Sequence, residues 1–143
     1  MGKCLMIRQY YIGQTAKLQR VFTEEDVKKS QQLTRDFNPF YDKNSDVWKS
    51  HYKKPIVPAL LTEGLITEVI SHKVPGVPCI LLQKDLVFYS PVHVGDVITA
   101  ELVIIDINES RGWITQKVTC YDQDNREVIK GQVVNYLVTE QNG

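Results

Sequence analysis

The sequence predicts an α+β protein in which one antiparallel sheet curls round a single long, buried helix. Two observations carry that expectation. Residues 56–71 are apolar over most of a helical circumference, through Val57, Leu60, Leu61, Leu65, Ile66, Val69 and Ile70, and a helix of that kind needs cover on nearly every side. Four long strand-like runs follow, at residues 80–89, 97–107, 113–121 and 127–138. A meander of such strands wrapped round one helix is the economical way to supply the cover.

Taken in order, the elements each have a local reason. Residues 16–22 alternate apolar and polar side chains, the period of a half-buried strand. Thr23 then caps a helix whose first turn holds Glu24, Glu25 and Asp26, with Asp26 at the acidic position of a capping box. That helix is expected to reach Leu33 or Thr34 with Val27 and Leu33 turned inward, and to stop before Asn38, because Pro39 disfavours helical geometry in the residue before it. A short helix capped by Asn44 or Ser45 is expected through Trp48 and Lys49. In the long helix Pro58 is tolerable only in the first turn, and Gly64 permits a close backbone approach. Pro75, Gly76 and Pro78 end it. Residues 122–125, Asp-Gln-Asp-Asn, are hairpin chemistry, and Gly131 within the last strand points to a bulge or a close approach.

Composition narrows the function classes. With 143 residues the chain is expected to form one domain, residues 1–143, with a core that needs no metal or disulfide staple. Seventeen basic and seventeen acidic residues cancel, which argues against a nucleic-acid or anionic-membrane footprint. A net charge near zero also gives little protection against self-association. Cys4, Cys79 and Cys120 are far apart, and His51, His72 and His93 do not cluster, so no metal-ligand spacing is present. A reducing compartment, no membrane span and a cytoplasmic location are expected.

The most distinctive stretch is Asp36-Phe37-Asn38-Pro39-Phe40-Tyr41, placed between the first helix and the apolar run that opens Pro55-Ile56-Val57-Pro58-Ala59. Two readings of Asp36 and Asn38 stay open on the residues alone. They are a helix-end cap with an Asx-turn before Pro39, or polar groups of a site held by a stiff turn.

With Asp36-Phe37-Asn38-Pro39, Pro55-Ile56-Val57, Leu86-Val87-Phe88 and Pro91-Val92-His93-Val94-Gly95-Asp96 in this order, the chain resembles the MaoC-like dehydratases. Within them it is similar to the short (R)-specific enoyl-CoA hydratases of the hotdog fold, over about residues 11–138. The family motif reads G-D-x-N-P-hydrophobic-H, and its Asp and His activate one water for addition to a 2-enoyl thioester. Here Asp36, Asn38 and Pro39 match, Arg35 stands at the Gly position and Tyr41 at the His position. The family's V-H-G, whose Gly amide binds the thioester oxygen, is Val57-Pro58-Ala59, and a small polar family residue falls at Cys79.

The resemblance therefore implies Asp36 and Tyr41 as catalytic groups, Asn38 and Pro39 as shapers of the site, and Ala59 and Cys79 at the thioester, with no metal and no cofactor. Asp36 is the base if burial poises it. A phenol ordinarily titrates near pH ~10, so Tyr41 is a donor rather than a base. The implied substrate is an acyl thioester of CoA or of acyl carrier protein in fatty-acid metabolism. The implied assembly is a homodimer, or a heterodimer with a competent paralogue. Two other functions remain open: a non-catalytic acyl-CoA-binding module, and a hotdog thioesterase using Glu63 or Glu68. Trp48 and Tyr52 border the acyl pocket or serve in packing. His51, His72 and His93 lie outside the motif.

Overall fold

The computed structural model describes residues 7–76 and 78–138. Cys4 and the two ends of the expected domain lie outside the described residues.

Strand β1, Thr15–Val21, leads into helix α1, Glu24–Thr34. The expected capping box is formed: the Thr23 hydroxyl accepts from the Asp26 amide at 3.1 Å, and the Asp26 carboxylate accepts from the Thr23 amide at 2.9 Å. Val27 and Ser30 are the buried face of α1. Leu33 corrects the expectation, since it is 83% exposed. Six residues at ~100° each place it about 120° round the helix from Val27, so the two cannot share one face. Arg35, at φ 62°, ends α1 in the left-handed region and turns the chain away.

Two single-turn 3₁₀ helices follow, Pro39–Tyr41 and Val47–Ser50. Trp48 is buried and donates its indole N–H to the Asp42 carbonyl at 2.8 Å, so it packs the loop.

Helix α2 spans Ala59–His72. Ile56 and Val57 stay outside it, because their amides are already committed to the Phe40 carbonyl at 2.9 Å and the Val92 carbonyl at 2.6 Å. Pro58 is thus the cap residue and not part of the first turn. Leu65, Ile66, Val69 and Ile70 are buried, yet Leu60 is 51% exposed and Gly64 and Thr67 are exposed with it. The near-complete burial expected of this helix is therefore not supplied by the described chain. One stripe, at positions 60, 64 and 67, is open.

Strands β2 (Cys79–Phe88), β3 (Val97–Asn108), β4 (Trp113–Tyr121) and β5 (Glu127–Leu137) complete one antiparallel sheet in the order β1-β3-β4-β5-β2. The core lies between its concave face and α2, around Phe22, Leu65, Val69, Leu102, Val118 and Ile129. Asn125, at φ 61°, makes the β4–β5 turn, with the Asp122 carboxylate accepting from the Asp124 and Arg126 amides at 2.9 Å each. Gly131 is a close approach: a Cβ there would collide with the Asp85 carbonyl of β2. β2 is an edge strand exposed along most of its length, including Ile80, Leu81 and Leu82.

Candidate active site

The site begins where α1 stops. The Asn38 carboxamide accepts from the Phe40 amide at 3.0 Å, and the Tyr41 amide donates to the Asn38 carbonyl at 2.9 Å. Asn38 is thus an Asx-turn, and Pro39, with its fixed φ and no N–H, opens the 3₁₀ turn beyond it. This turn carries Tyr41 back over Asp36. The Tyr41 hydroxyl donates to the Asp36 carboxylate at 3.4 Å, long for an O–H···O bond.

The electrostatics of this pair are one-sided. Burial first, then the Asp36 charge and the hydrogen bond to it, push the Tyr41 phenol above its usual range. Tyr41 is accordingly held protonated and serves as a donor. Asp36 itself is exposed, so the burial expected to poise it is not provided within this chain. Among the described residues no histidine bonds to Asp36. His51 pairs with the Ser50 hydroxyl at 2.7 Å, His72 with the Glu68 carbonyl at 3.3 Å, and His93 donates from Nδ1 to the Pro55 carbonyl at 2.8 Å.

Tyr41 forms part of the wall of a cavity of about 310 Å³, together with Tyr52, Ile56, Ala59, Thr62 and Tyr89. Tyr52 is held there by edge and tilted ring contacts to Phe40 at 6.4 Å and His93 at 5.7 Å between centroids. On the other side of Tyr41 and Ile56 lies a larger, more polar hollow of about 730 Å³, reaching α1 and Lys54. Asp36 lines neither cavity directly and is linked to both through Tyr41.

The start of α2 contributes Ala59 to the wall of the smaller cavity. Pro58 makes no side-chain cap, and the Leu61 amide turns to the Pro58 carbonyl at 3.0 Å. The Ala59 and Leu60 amides are left without a partner among the described residues, with the positive end of the helix dipole behind them. A developing negative oxygen is well served at such a place.

Other expected site residues are not brought here. Cys79 and Phe88 are the two ends of β2, and only Phe88 reaches the cavity, so roughly 30 Å of extended strand separates Cys79 from it. Within this chain Cys79 therefore stands away from the cavity that Ala59 lines. Burial also raises its thiol pKa, away from nucleophile chemistry. Glu63 is ion-paired with Lys84, and Glu68 with Arg20 at 3.6 Å, so both have cationic partners. Among the described residues no group of three His, Cys, Asp or Glu side chains could hold a metal ion. Thr62 is the cavity residue that sequence reasoning missed. Its signal was the three-residue spacing from Ala59, which puts both on one helix face.

No family model matches the chain. It is 28% identical over 123 residues to an (R)-specific enoyl-CoA hydratase of Aeromonas caviae, covering 86% of this chain and 92% of that protein. It is 29% identical over 128 residues to the mitochondrial 3-hydroxyacyl-[acyl-carrier-protein] dehydratase FERN of Solanum lycopersicum, covering 88% of this chain and 76% of that one. Among solved structures, the A. caviae (R)-hydratase involved in PHA biosynthesis superimposes with a TM-score of 0.86 at 28% identity, over 92% of this chain and 99% of that chain.

Proposed function

From a chain that is a hotdog-fold homologue of the (R)-specific enoyl-CoA hydratases, we propose an enzyme that reversibly hydrates 2-enoyl thioesters to (R)-3-hydroxyacyl thioesters. The observation that carries this reading is the Asp36–Tyr41 pair set beside a cavity lined by Ala59 of the uncapped first turn of α2.

In this reading the thioester carbonyl faces the Ala59 amide, which supports the negative charge that develops on its oxygen. Asp36 takes a proton from water as the water oxygen bonds to C3. Tyr41, held protonated, gives a proton to C2. The proton taken up by Asp36 then restores the phenol along their hydrogen bond, so one water is added and both groups return to their starting states. Asn38 and Pro39 fix the turn that makes the pair. A phenol raised above its usual range is a reluctant acid, so turnover is slower than an imidazole partner would permit.

The substrate is read as a CoA or acyl-carrier-protein thioester, with no cofactor needed for the steps described. The whole chain is read as one domain. A homodimer is read from the exposed apolar edge of β2 and the open stripe of α2, which a second copy would cover. Two cysteines, Cys79 and Cys120, are free thiols, in keeping with a cytoplasmic location. No helix among the described residues is long and apolar enough to cross a membrane.

The deciding experiment follows loss of the enoyl thioester absorbance with crotonyl-CoA. Turnover is expected, and Asp36→Ala should remove it. Absence of turnover with short and medium enoyl-CoA substrates sinks the hydratase reading, and tight binding without turnover would make the protein a thioester-binding module.

A further inference from the structure

Thr62 is 2% exposed and lines the cavity shared by Tyr41, Tyr52 and Ala59. A polar side chain on a residue this buried normally finds a partner. Among the described residues the Thr62 hydroxyl makes no hydrogen bond, not even to the carbonyl one turn back that a helical threonine commonly uses. Thr67, on the same helix, does make that bond, to the Glu63 carbonyl at 3.5 Å. The hydroxyl is nevertheless not sealed off, since the Asn135 Oδ1 is the buried side-chain polar atom left without a partner among the described residues; the Thr62 hydroxyl is open to the cavity that the residue lines, and a ligand there is its available partner.

Its direction is set by the helix. Thr62 is three residues after Ala59, on the same face of α2. Side chains on a helix lean toward its N-terminus, and Thr62 and Ala59 line the same cavity. The uncapped helix start at Ala59 and the unpartnered Thr62 hydroxyl therefore belong to one cavity. Two donors of this kind suit a single oxygen that gains negative charge.

We infer that Thr62 is a second donor to the thioester carbonyl oxygen, acting beside the Ala59 amide. The inference rests on the thioester reading above, and it assigns a catalytic contact to a side chain that the Asp36–Tyr41 motif does not include. The hydroxyl is available to the oxygen in the bound thioester and bonds it more strongly as enolate charge develops.

The test uses the full chain as wild type, Thr62→Val and Thr62→Ser. One measurement is hydration of crotonyl-CoA. The other is the carbonyl stretch of bound butyryl-CoA, carbon-13 labelled at the thioester, by difference infrared spectroscopy. Butyryl-CoA is saturated and cannot react, so the second reading is independent of turnover. Thr62→Val should lower kcat roughly 10²-fold, the loss typical of one oxyanion donor, with KM little changed. It should also shrink the downward shift of the carbonyl band, and Thr62→Ser should restore both. Removing an unpartnered hydroxyl should leave Tm unchanged or raised, whereas a structural role for Thr62 would lower it. If the wild type does not hydrate crotonyl-CoA but the band shift still depends on the hydroxyl, the hydratase reading falls and the Thr62 contact stands. If Thr62→Val keeps both the rate and the band of the wild type, the Thr62 contact is overturned and the hydratase reading stands. Failure of the wild type both to hydrate crotonyl-CoA and to bind butyryl-CoA overturns both.

Discussion

The half-buried Tyr41 donates its hydroxyl to the Asp36 carboxylate at 3.4 Å, across a turn of five residues that Asn38 and Pro39 stiffen. A phenol and a carboxylate so placed divide the labour unequally: the carboxylate is the proton acceptor, and the protonated phenol is the donor.

That division is measurable by titration. Tyr41 should ionise above an ordinary tyrosine in the phenolate absorbance. In Asp36→Asn its pKa should fall part of the way back, but not fully, because burial is the larger cause of the shift. The stability sign follows from the same raised value. Its contribution is complete below pH ~10, where the unfolded phenol is also neutral, and is lost as pH rises through the folded-state value. Tyr41→Phe should therefore flatten the alkaline loss of stability seen in denaturant midpoints, and leave the neutral range alone.

Replacing the phenol by imidazole should change the rate. Tyr41→His puts a group with a pKa near ~6.5 on the same turn, poised to exchange protons at neutral pH. The hydration rate should rise by roughly 10²–10⁴-fold, the usual contribution of a matched acid/base partner. The pH–rate profile should gain a limb in the neutral range that the wild type lacks. An unchanged rate in Tyr41→His would mean that Asp36 is not placed to use its neighbour.

The elements were legible because each rests on a local signal. The Thr23–Asp26 box, the Pro39 stop, the Asp122–Asn125 turn and the four runs of β2–β5 all formed within a few residues of expectation. The misreadings share another cause. Apolar content says that a surface wants cover, and does not say whether this chain covers it. Leu60 and the edge of β2 were read as core or as strand without that distinction. The separation of Cys79 from the cavity within this chain was hidden in its own way, since an extended strand converts a short sequence interval into a long distance. Thr62 was hidden because a threonine within an apolar run reads as filler until its hydroxyl is seen to lack a partner.

Gly131 is where the sheet itself can be tested. It sits opposite Leu86 in the β2–β5 ladder, and a Cβ there would overlap the Asp85 carbonyl, with the Asp85 carbonyl carbon and the Leu86 Cα each only 2.9 Å away. These are backbone atoms, so no side chain can rotate out of the way. Gly131→Ala should part β2 from β5 and cost at least about 1–3 kcal/mol in urea unfolding, the range for overpacking. Faster amide exchange should be confined to those two strands. A wild-type midpoint would show that the strands can separate freely, and that β2 contributes little to the fold.

β2 also tests the assembly. Its outer edge bears Ile80, Leu81 and Leu82, all exposed, and its ladder to β5 shifts register between Leu81 and Gln83, leaving Leu82 at the irregularity. An apolar strand with an open edge is a pairing surface unless charge protects it. Leu82→Lys places a charge there without touching the core under α2, so the circular dichroism spectrum should be unchanged. Light scattering should shift from a dimer to a monomer. Turnover should fall with it if a second copy helps to close the cavity wall at Phe88, which ends the same strand, and at Tyr89 just after it. A variant that stays dimeric would move the interface to the open stripe of α2 at Leu60, Gly64 and Thr67, where Gly64 has room for a close backbone approach. Leu60→Glu is the substitution that then separates the copies.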